Sequence, residues 1–175
     1  VYCQVDKAEY PRPRPVDINQ LETELAAMVL AATSGELWKH PRMSAVAPEL
    51  RRLNDIAFSG DGEPTSAEAF PQAVRIVAKL KQTHALAATK IILITNATLL
   101  RRERVESAIQ VMDNNHGEVW AKLDAGTEDY YKRIDRSAVR FQTILDNILA
   151  CGKRRPIVIQ SMFAKLHDQP TPDAE

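Results

Sequence analysis

The feature that most constrains the fold is a continuous apolar run, Lys90-Ile91-Ile92-Leu93-Ile94-Thr95, in which β-branched residues dominate. Such a run is typical of a parallel strand that is covered on both faces. Further strands are predicted over residues 55–59, 118–123 and 156–163, with helices between them. This alternation predicts an α/β fold whose parallel strands are joined by right-handed crossovers.

The predicted helices are placed by apolar spacing and by residues that begin or end helices. Asp17, with Gln20 three positions later, resembles a capping pair for a helix with apolar residues at helical spacing from position 18 to 32. Pro71 is acceptable in the first turn of a second helix. Two further helices are predicted over residues 99–112 and 127–150, with Gly152 ending the longer one.

Polar residues stand where each predicted strand ends. An open doubly wound sheet and part of a (β/α) barrel both fit the order of elements, and both place chemistry at the carboxyl ends of strands. Donors, acceptors and opposite charges gathered there would suit a zwitterionic ligand that carries a ribose. The candidates are Gly60, Asp61, Gly62 and Glu63 after the first strand, Thr95 and Asn96 after the second, Lys122 and Asp124 at the third, and Gln160 on the fourth.

Each of these groups also has a structural interpretation. A Gly-Asp-Gly turn is often only a turn, and the absence of a following Gly-Lys-Ser/Thr or of a third glycine excludes a phosphate loop and a dinucleotide fingerprint. Lys122 and Asp124 alternate along a strand and so share a face, where they form either a buried structural ion pair or a functional pair.

Composition and charge exclude other classes of protein. The 2 cysteines form no disulfide framework, the 4 histidines show no metal-ligand spacing, and the formal net charge of zero provides no basic field for nucleic acid or an anionic membrane. No apolar run reaches the ~20 residues of a membrane helix, so we expect a cytoplasmic protein. Cys151 is expected to pack, whereas Cys3 is either a small buried hydrophobe or a metal ligand.

Taken together, four blocks of the sequence resemble the radical SAM family. The order of these blocks and the spacing between them agree with that family across nearly the whole chain. Tyr2-Cys3 resembles the end of the family's Cys-x3-Cys-x2-Cys cluster motif, and residues 59–65 are similar to the family's Ser-Gly-x-Gly-Glu-Pro-Thr motif. Residues 95–100 resemble the stretch Thr-Asn-Gly-Thr-Leu-Leu, with Ala97 in place of glycine. Residues 122–127 look like the end of the fourth strand in the branch related to wyosine-type tRNA-modifying proteins.

The resemblance implies a partial (β/α)6 barrel, with residues 1–175 as one partial core domain whose first and last strands are missing. It implies a [4Fe-4S] cluster held by three thiolates, of which Cys3 is one and the other two are expected upstream of Val1. The same resemblance implies an S-adenosylmethionine site. In that site residues 60–63 would contact the methionyl amino group, largely through backbone, and Thr95 and Asn96 would lie near the methionyl carboxylate. Lys122 and Asp124 would lie by the ribose or the substrate, and Gln160 would lie near the adenosine.

The implied activity is reductive cleavage of S-adenosylmethionine to a 5′-deoxyadenosyl radical that abstracts hydrogen from an unknown substrate. A flavodoxin- or ferredoxin-type protein is the implied electron donor, and the chain by itself is expected to be inactive. A narrower version is tRNA modification, which the neutral charge does not favour. The alternative from another class is a non-catalytic α/β module for a nucleotide-like ligand, in which Cys3 is incidental.

Overall fold

Four parallel strands form a single sheet in which the order β1-β2-β3-β4 follows the order of the chain. The computed structural model describes residues 15–60 and 62–163, so Cys3 and Asp61 lie outside the described residues. A doubly wound sheet would reverse its strand order partway, whereas the described strands do not, which is consistent with part of a parallel barrel. The strands are β1 (Asp55–Phe58), β2 (Lys90–Thr95), β3 (Gly117–Lys122) and β4 (Val158–Gln160).

The helices precede and connect these strands. The first begins after Asp17, whose carboxylate accepts hydrogen bonds from the backbone N–H groups of Asn19 and Gln20 at 2.9 and 3.1 Å, which is the Asp17 half of the predicted capping pair. The Gln20 side chain donates instead to Glu24 at 2.7 Å. This helix ends at Gly35, which has a φ of 89°. The helices are α1 (Ile18–Ser34), α2 (Phe70–Thr83), α3 (Glu103–Asp113), α4 (Glu128–Ile134) and α5 (Phe141–Gly152).

The core lies between the helices and one face of the sheet. Ile91 and Leu93 of β2 are fully buried there in one cluster with Val74 of α2 and Val105 of α3. Ile92 points to the opposite face and is still only 6% exposed. The prediction of a strand covered on both faces is therefore confirmed for the middle of β2.

The prediction of one long helix over residues 127–150 is wrong, because the chain breaks it into α4 and α5. Arg136 has a φ of 51° in the connection, and the backbone N–H of Val139 donates to the Ser137 hydroxyl at 3.1 Å. Glu128 then accepts from the backbone N–H of Phe141 at 3.2 Å, which caps α5. Side-chain acceptors of this kind compete with helix continuation.

Other boundaries also differ from the prediction. The helix predicted from residue 99 begins at Glu103, and the strand predicted over 156–163 is limited to Val158–Gln160. Gly152 is the last residue of α5 and Lys153 follows in a right-handed conformation, so a left-handed glycine does not end this helix. These shifts change element ends only and leave the order of elements as predicted.

Candidate functional site

The strand ends bring the candidate residues to one rim of the sheet. Thr95 of β2 pairs with Ala121 of β3, and Lys122 pairs with Gln160 of β4. Paired residues of neighbouring parallel strands point to the same face. Lys122 and Gln160 are both exposed, so they lie side by side on the face opposite the helical core.

Glu63 joins the turn after β1 to the turn after β2. Its Oε1 accepts from the backbone N–H and the hydroxyl of Thr65, at 3.2 and 2.5 Å, and from the hydroxyl of Thr95 at 2.6 Å. Its Oε2 accepts from the backbone N–H of Asn96 at 2.8 Å. The carboxylate therefore holds the two strand ends together.

The glycines beside Glu63 leave open space. Gly60 has a φ of 140°, a conformation that side chains rarely adopt, and a Cβ built on Gly60 or Gly62 would meet no atom within 4 Å. Both residues are exposed. Glycine here gives a ligand direct access to backbone donors and acceptors.

The turn after β2 is fixed by its own side chains. Asn96 Oδ1 accepts from the backbone N–H and the hydroxyl of Thr98 at 3.0 and 2.7 Å, and Thr95 Oγ1 accepts from the backbone N–H of Ala97 at 3.1 Å. Ala97 is fully buried with a φ of 63°. This left-handed conformation favours glycine, the residue that the family resemblance expects at this position.

A cavity of about 130 Å³ lies beside this rim, and polar residues make up most of its lining, so it is called the polar cavity below. It is smaller than a site for a whole cofactor, and its size suits one polar portion of a ligand. Three predicted residues meet in its wall: Asn96, Lys122 and Asp124. Six further residues line it, and none of them is a site residue that the sequence predicts: Thr98, Leu123, Tyr131, Asp135, Ser137 and Ile144.

Lys122 and Asp124 differ in burial although both line this cavity. Asp124 is 9% exposed, whereas Lys122 is exposed. Gly60, Gly62, Glu63 and Gln160 do not line this cavity. Hence most of the candidate residues form two adjoining parts, an open glycine turn and a polar cavity, with Asn96 between them. Gln160 belongs to neither part and lies beside Lys122 on β4.

Titration of two cavity residues is perturbed. Desolvation raises the pKa of the Asp135 carboxyl and the negative charge of Asp124 raises it further, whereas Lys122 lowers it. Burial raises the pKa of Tyr131, and a hydrogen bond with Ser137 acts in the opposite direction. Perturbed groups that converge in one cavity are typical of functional sites.

Two side chains hold the turns from the helix side of the sheet. Arg104 of α3 donates to the carbonyl oxygens of Thr65, Ser66 and Ala67 at 2.7 to 3.2 Å. Asn147 of α5 donates to two carbonyl oxygens of the turn after β2, those of Ala97 and Thr98. A charge cluster such as residues 101–104 is typical of a solvated face, so the sequence gives no signal for the role of Arg104. An asparagine at a core-facing helical position, by contrast, is a readable signal for Asn147.

Metal ligands are not gathered in the described part of the chain. Within residues 15–60 and 62–163, no group of three or more His, Cys, Asp or Glu side chains is placed to hold a metal ion. Cys151 is buried in α5, as the sequence predicts, and the proposed ligand Cys3 lies outside these residues. In the same ranges, no helix has the length and apolar character to cross a membrane.

Neither a protein-family model nor a curated protein matches the sequence. Among solved structures, a crystal structure of archaeal TYW1 matches 94% of this chain and 51% of that chain, with a TM-score of 0.54 and 15% sequence identity. The chain thus spans about half the length of that protein. At this identity the likeness shows the fold alone: the chain shares the α/β architecture of that structure.

Proposed function

We propose that the full-length protein is a radical SAM enzyme that binds S-adenosylmethionine at the carboxyl-end rim of the sheet. The observation that carries this proposal is the Glu63 carboxylate, which joins the open glycine turn to Asn96 beside the polar cavity. The fold similarity to archaeal TYW1 supports it. So does the agreement of four sequence blocks with the family.

The protein's residues would bind and orient the ligand. The exposed backbone at Gly60 and Gly62 would accept hydrogen bonds from the methionyl amino group. Thr95 is 1% exposed and its hydroxyl donates to Glu63, so its part would be to position Asn96 for the carboxylate. The cavity with Lys122 and Asp124 would take the ribose or a group of the substrate, and Gln160 would lie near the adenosine.

The cluster would depend on Cys3 and on two cysteines expected upstream of Val1. When bound, a [4Fe-4S] cluster supplies the electron that cleaves the sulfonium and yields a 5′-deoxyadenosyl radical. The electron would come from a flavodoxin- or ferredoxin-type donor. Burial of Asp124 and Tyr131 would help to exclude water from the neighbouring ligand.

The test is anaerobic iron-sulfur reconstitution of the full-length protein, followed by reduction and measurement of 5′-deoxyadenosine by mass spectrometry. Cys3→Ser should abolish both cluster formation and cleavage. Cys151→Ser is the matched control, because Cys151 is buried in α5, and it should retain both. Cleavage by the Cys3→Ser protein would contradict the proposal, as would an upstream sequence without cysteines at the family spacing.

The same experiment addresses the alternatives. A protein that binds S-adenosylmethionine or a nucleoside but takes up no iron would be a non-catalytic binding module. The resemblance of residues 122–127 to the wyosine-type branch makes RNA a narrower substrate proposal. Binding of tRNA to the reconstituted protein at low and physiological salt, with and without S-adenosylmethionine, tests that version.

A further inference from the structure

Asn147 is a buried polar residue in the apolar face of α5. It is 4% exposed and lies between Ile144 and Cys151, which are 1% and 4% exposed on the same face. Its Nδ2 donates to the carbonyl oxygens of Ala97 and Thr98, at 2.9 and 3.1 Å. A buried amide is costly unless its hydrogen bonds are formed, so these two bonds account for an asparagine where an apolar residue would otherwise pack.

Both carbonyl groups belong to the turn that presents Asn96. Ala97 holds the left-handed conformation in this turn, and the N–H of Asn96 donates to Glu63. Thr98 donates to Asn96 Oδ1 and lines the cavity together with Asn96. A shift of these carbonyl groups would therefore move Asn96 relative to the Glu63 turn.

We propose that Asn147 is a positioning residue that fixes the turn formed by residues 96–98 and thereby sets the placement of Asn96 for its ligand. The identity of that ligand as S-adenosylmethionine rests on the proposed function, whereas the control of the turn does not. Asn147 touches no ligand in this scheme; it acts through the backbone of Ala97 and Thr98. The helix α5 thus holds the binding turn through two of its backbone carbonyl groups.

The direct test is Asn147→Asp in the full-length protein. The aspartate keeps the shape of the side chain but places an oxygen against two carbonyl oxygens. Amide hydrogen exchange at residues 96–98 should accelerate about tenfold or more, because the hydrogen bonds that the backbone N–H groups of these residues donate would open more often. Their acceptors are Glu63, Thr95 and Asn96, so faster exchange reports loss of the turn itself.

Lys81→Met is the matched control for a general loss of stability. Lys81 is also buried and also donates to two backbone carbonyl groups, those of Thr89 and Asn115. These lie just before β2 and β3, at the amino ends of the strands. This variant should leave exchange at residues 96–98 within about twofold of the wild type.

The second readout is the dissociation constant of S-adenosylmethionine for the reconstituted protein, below the unfolding temperature of every variant. Asn147→Asp should raise it about tenfold and Lys81→Met by less than about twofold. If the wild type does not bind S-adenosylmethionine, the proposed function fails, while the exchange experiment still tests the control of the turn.

Unchanged exchange in Asn147→Asp would overturn the inference, and so would faster exchange with unchanged affinity for S-adenosylmethionine. Asn147→Ser is the second variant should the aspartate protein fail to fold. It retains one short donor at the same position and should accelerate exchange at residues 96–98 to a smaller extent. Exchange equal to that of the wild type in this variant would also count against the role of Asn147.

Discussion

The Thr95 hydroxyl donates a 2.6 Å hydrogen bond to the Glu63 carboxylate, although Thr95 ends β2 and Glu63 lies in the turn after β1. The same carboxylate accepts from the backbone N–H of Asn96 at 2.8 Å. The turns after β1 and β2 are therefore one hydrogen-bonded unit. A change in this carboxylate is expected to affect both turns together.

Glu63→Gln should lower the free energy of unfolding by about 2 kcal/mol, because an amide nitrogen would face a donor and the charge-assisted bonds would be lost. Urea denaturation measures this change. Glu68→Gln is the control, since Glu68 is exposed in the same connection and should change stability by less than about 0.5 kcal/mol. Equal losses in the two variants would argue against the network as described.

Glu63→Ala should also weaken S-adenosylmethionine binding more than it lowers cluster content in the reconstituted full-length protein. The reason is that the side chain holds the Asn96 turn through the backbone N–H of Asn96. Iron and sulfide analysis beside equilibrium binding separates the two effects. A protein that loses its cluster but binds S-adenosylmethionine normally would contradict the role assigned to Glu63.

Lys81→Met should cost about 3 kcal/mol of stability, because it leaves two backbone carbonyl groups without their donor. Lys81 is 4% exposed and its Nζ donates to Thr89 and Asn115. The matched variant Lys79→Met removes only a pair with Glu22 in which the lysine side chain is 71% exposed, so its effect should stay below about 1 kcal/mol. Thermal and urea unfolding of both variants would decide; a larger loss for Lys79→Met would refute this account.

Ala97 tests the left-handed turn. Ala97→Gly should remain within about 1 kcal/mol of the wild type, because relief of the strained φ offsets lost packing and greater freedom of the unfolded chain. Ala97→Val should lose about 3 kcal/mol, since a β-branched residue is strained at this φ and the site is fully buried. Urea denaturation curves of the two variants provide the comparison. A valine variant as stable as the glycine variant would contradict the strained, left-handed conformation of Ala97.

Asp135 provides a test by pH. Its pKa in the folded state is raised above the ordinary value of 3.8, so the folded protein holds this proton to higher pH than the unfolded chain. The contribution of Asp135 to the free energy of unfolding is therefore fully present below about pH 3.8, and it is lost as the pH rises through the pKa of Asp135 in the folded protein. Asp135→Asn removes this loss.

Relative to the wild type, the Asp135→Asn protein should gain stability as pH increases from 4 to 7, with the two curves closest at about pH 4. Urea unfolding at several pH values measures the difference. A variant whose stability relative to the wild type declines over this range would contradict the direction of the shift.

The strand pattern could be read from the sequence where burial is strongest. The run Lys90–Thr95 is predicted and observed with the same bounds, since only a covered strand accommodates so many adjacent apolar residues. The meeting of Asn96, Lys122 and Asp124 in one cavity wall also follows from the prediction, because parallel strands end at one rim. Their functions stay predictions.

The cavity and its supports could not be read in the same way. Apolar spacing continues across Asp135 and Ser137, so it does not reveal the break that places both in the cavity wall. That break depends on Ser137 and on Glu128, which caps a helix 13 residues away. The partners of Asn147 lie about 50 positions earlier in the chain, a distance over which no local pattern operates.

The strand order has a consequence for how this sheet can assemble. Each strand is adjacent to the one before it in the chain, so every pairing closes a loop of only one crossover, which keeps the entropic cost of each closure low. Closures of this length favour stepwise growth of the sheet, one strand and its connection after another. Since β2 must pair with β1 before Thr95 can reach Glu63, the turns after these two strands become organised only once that first pair of strands has formed.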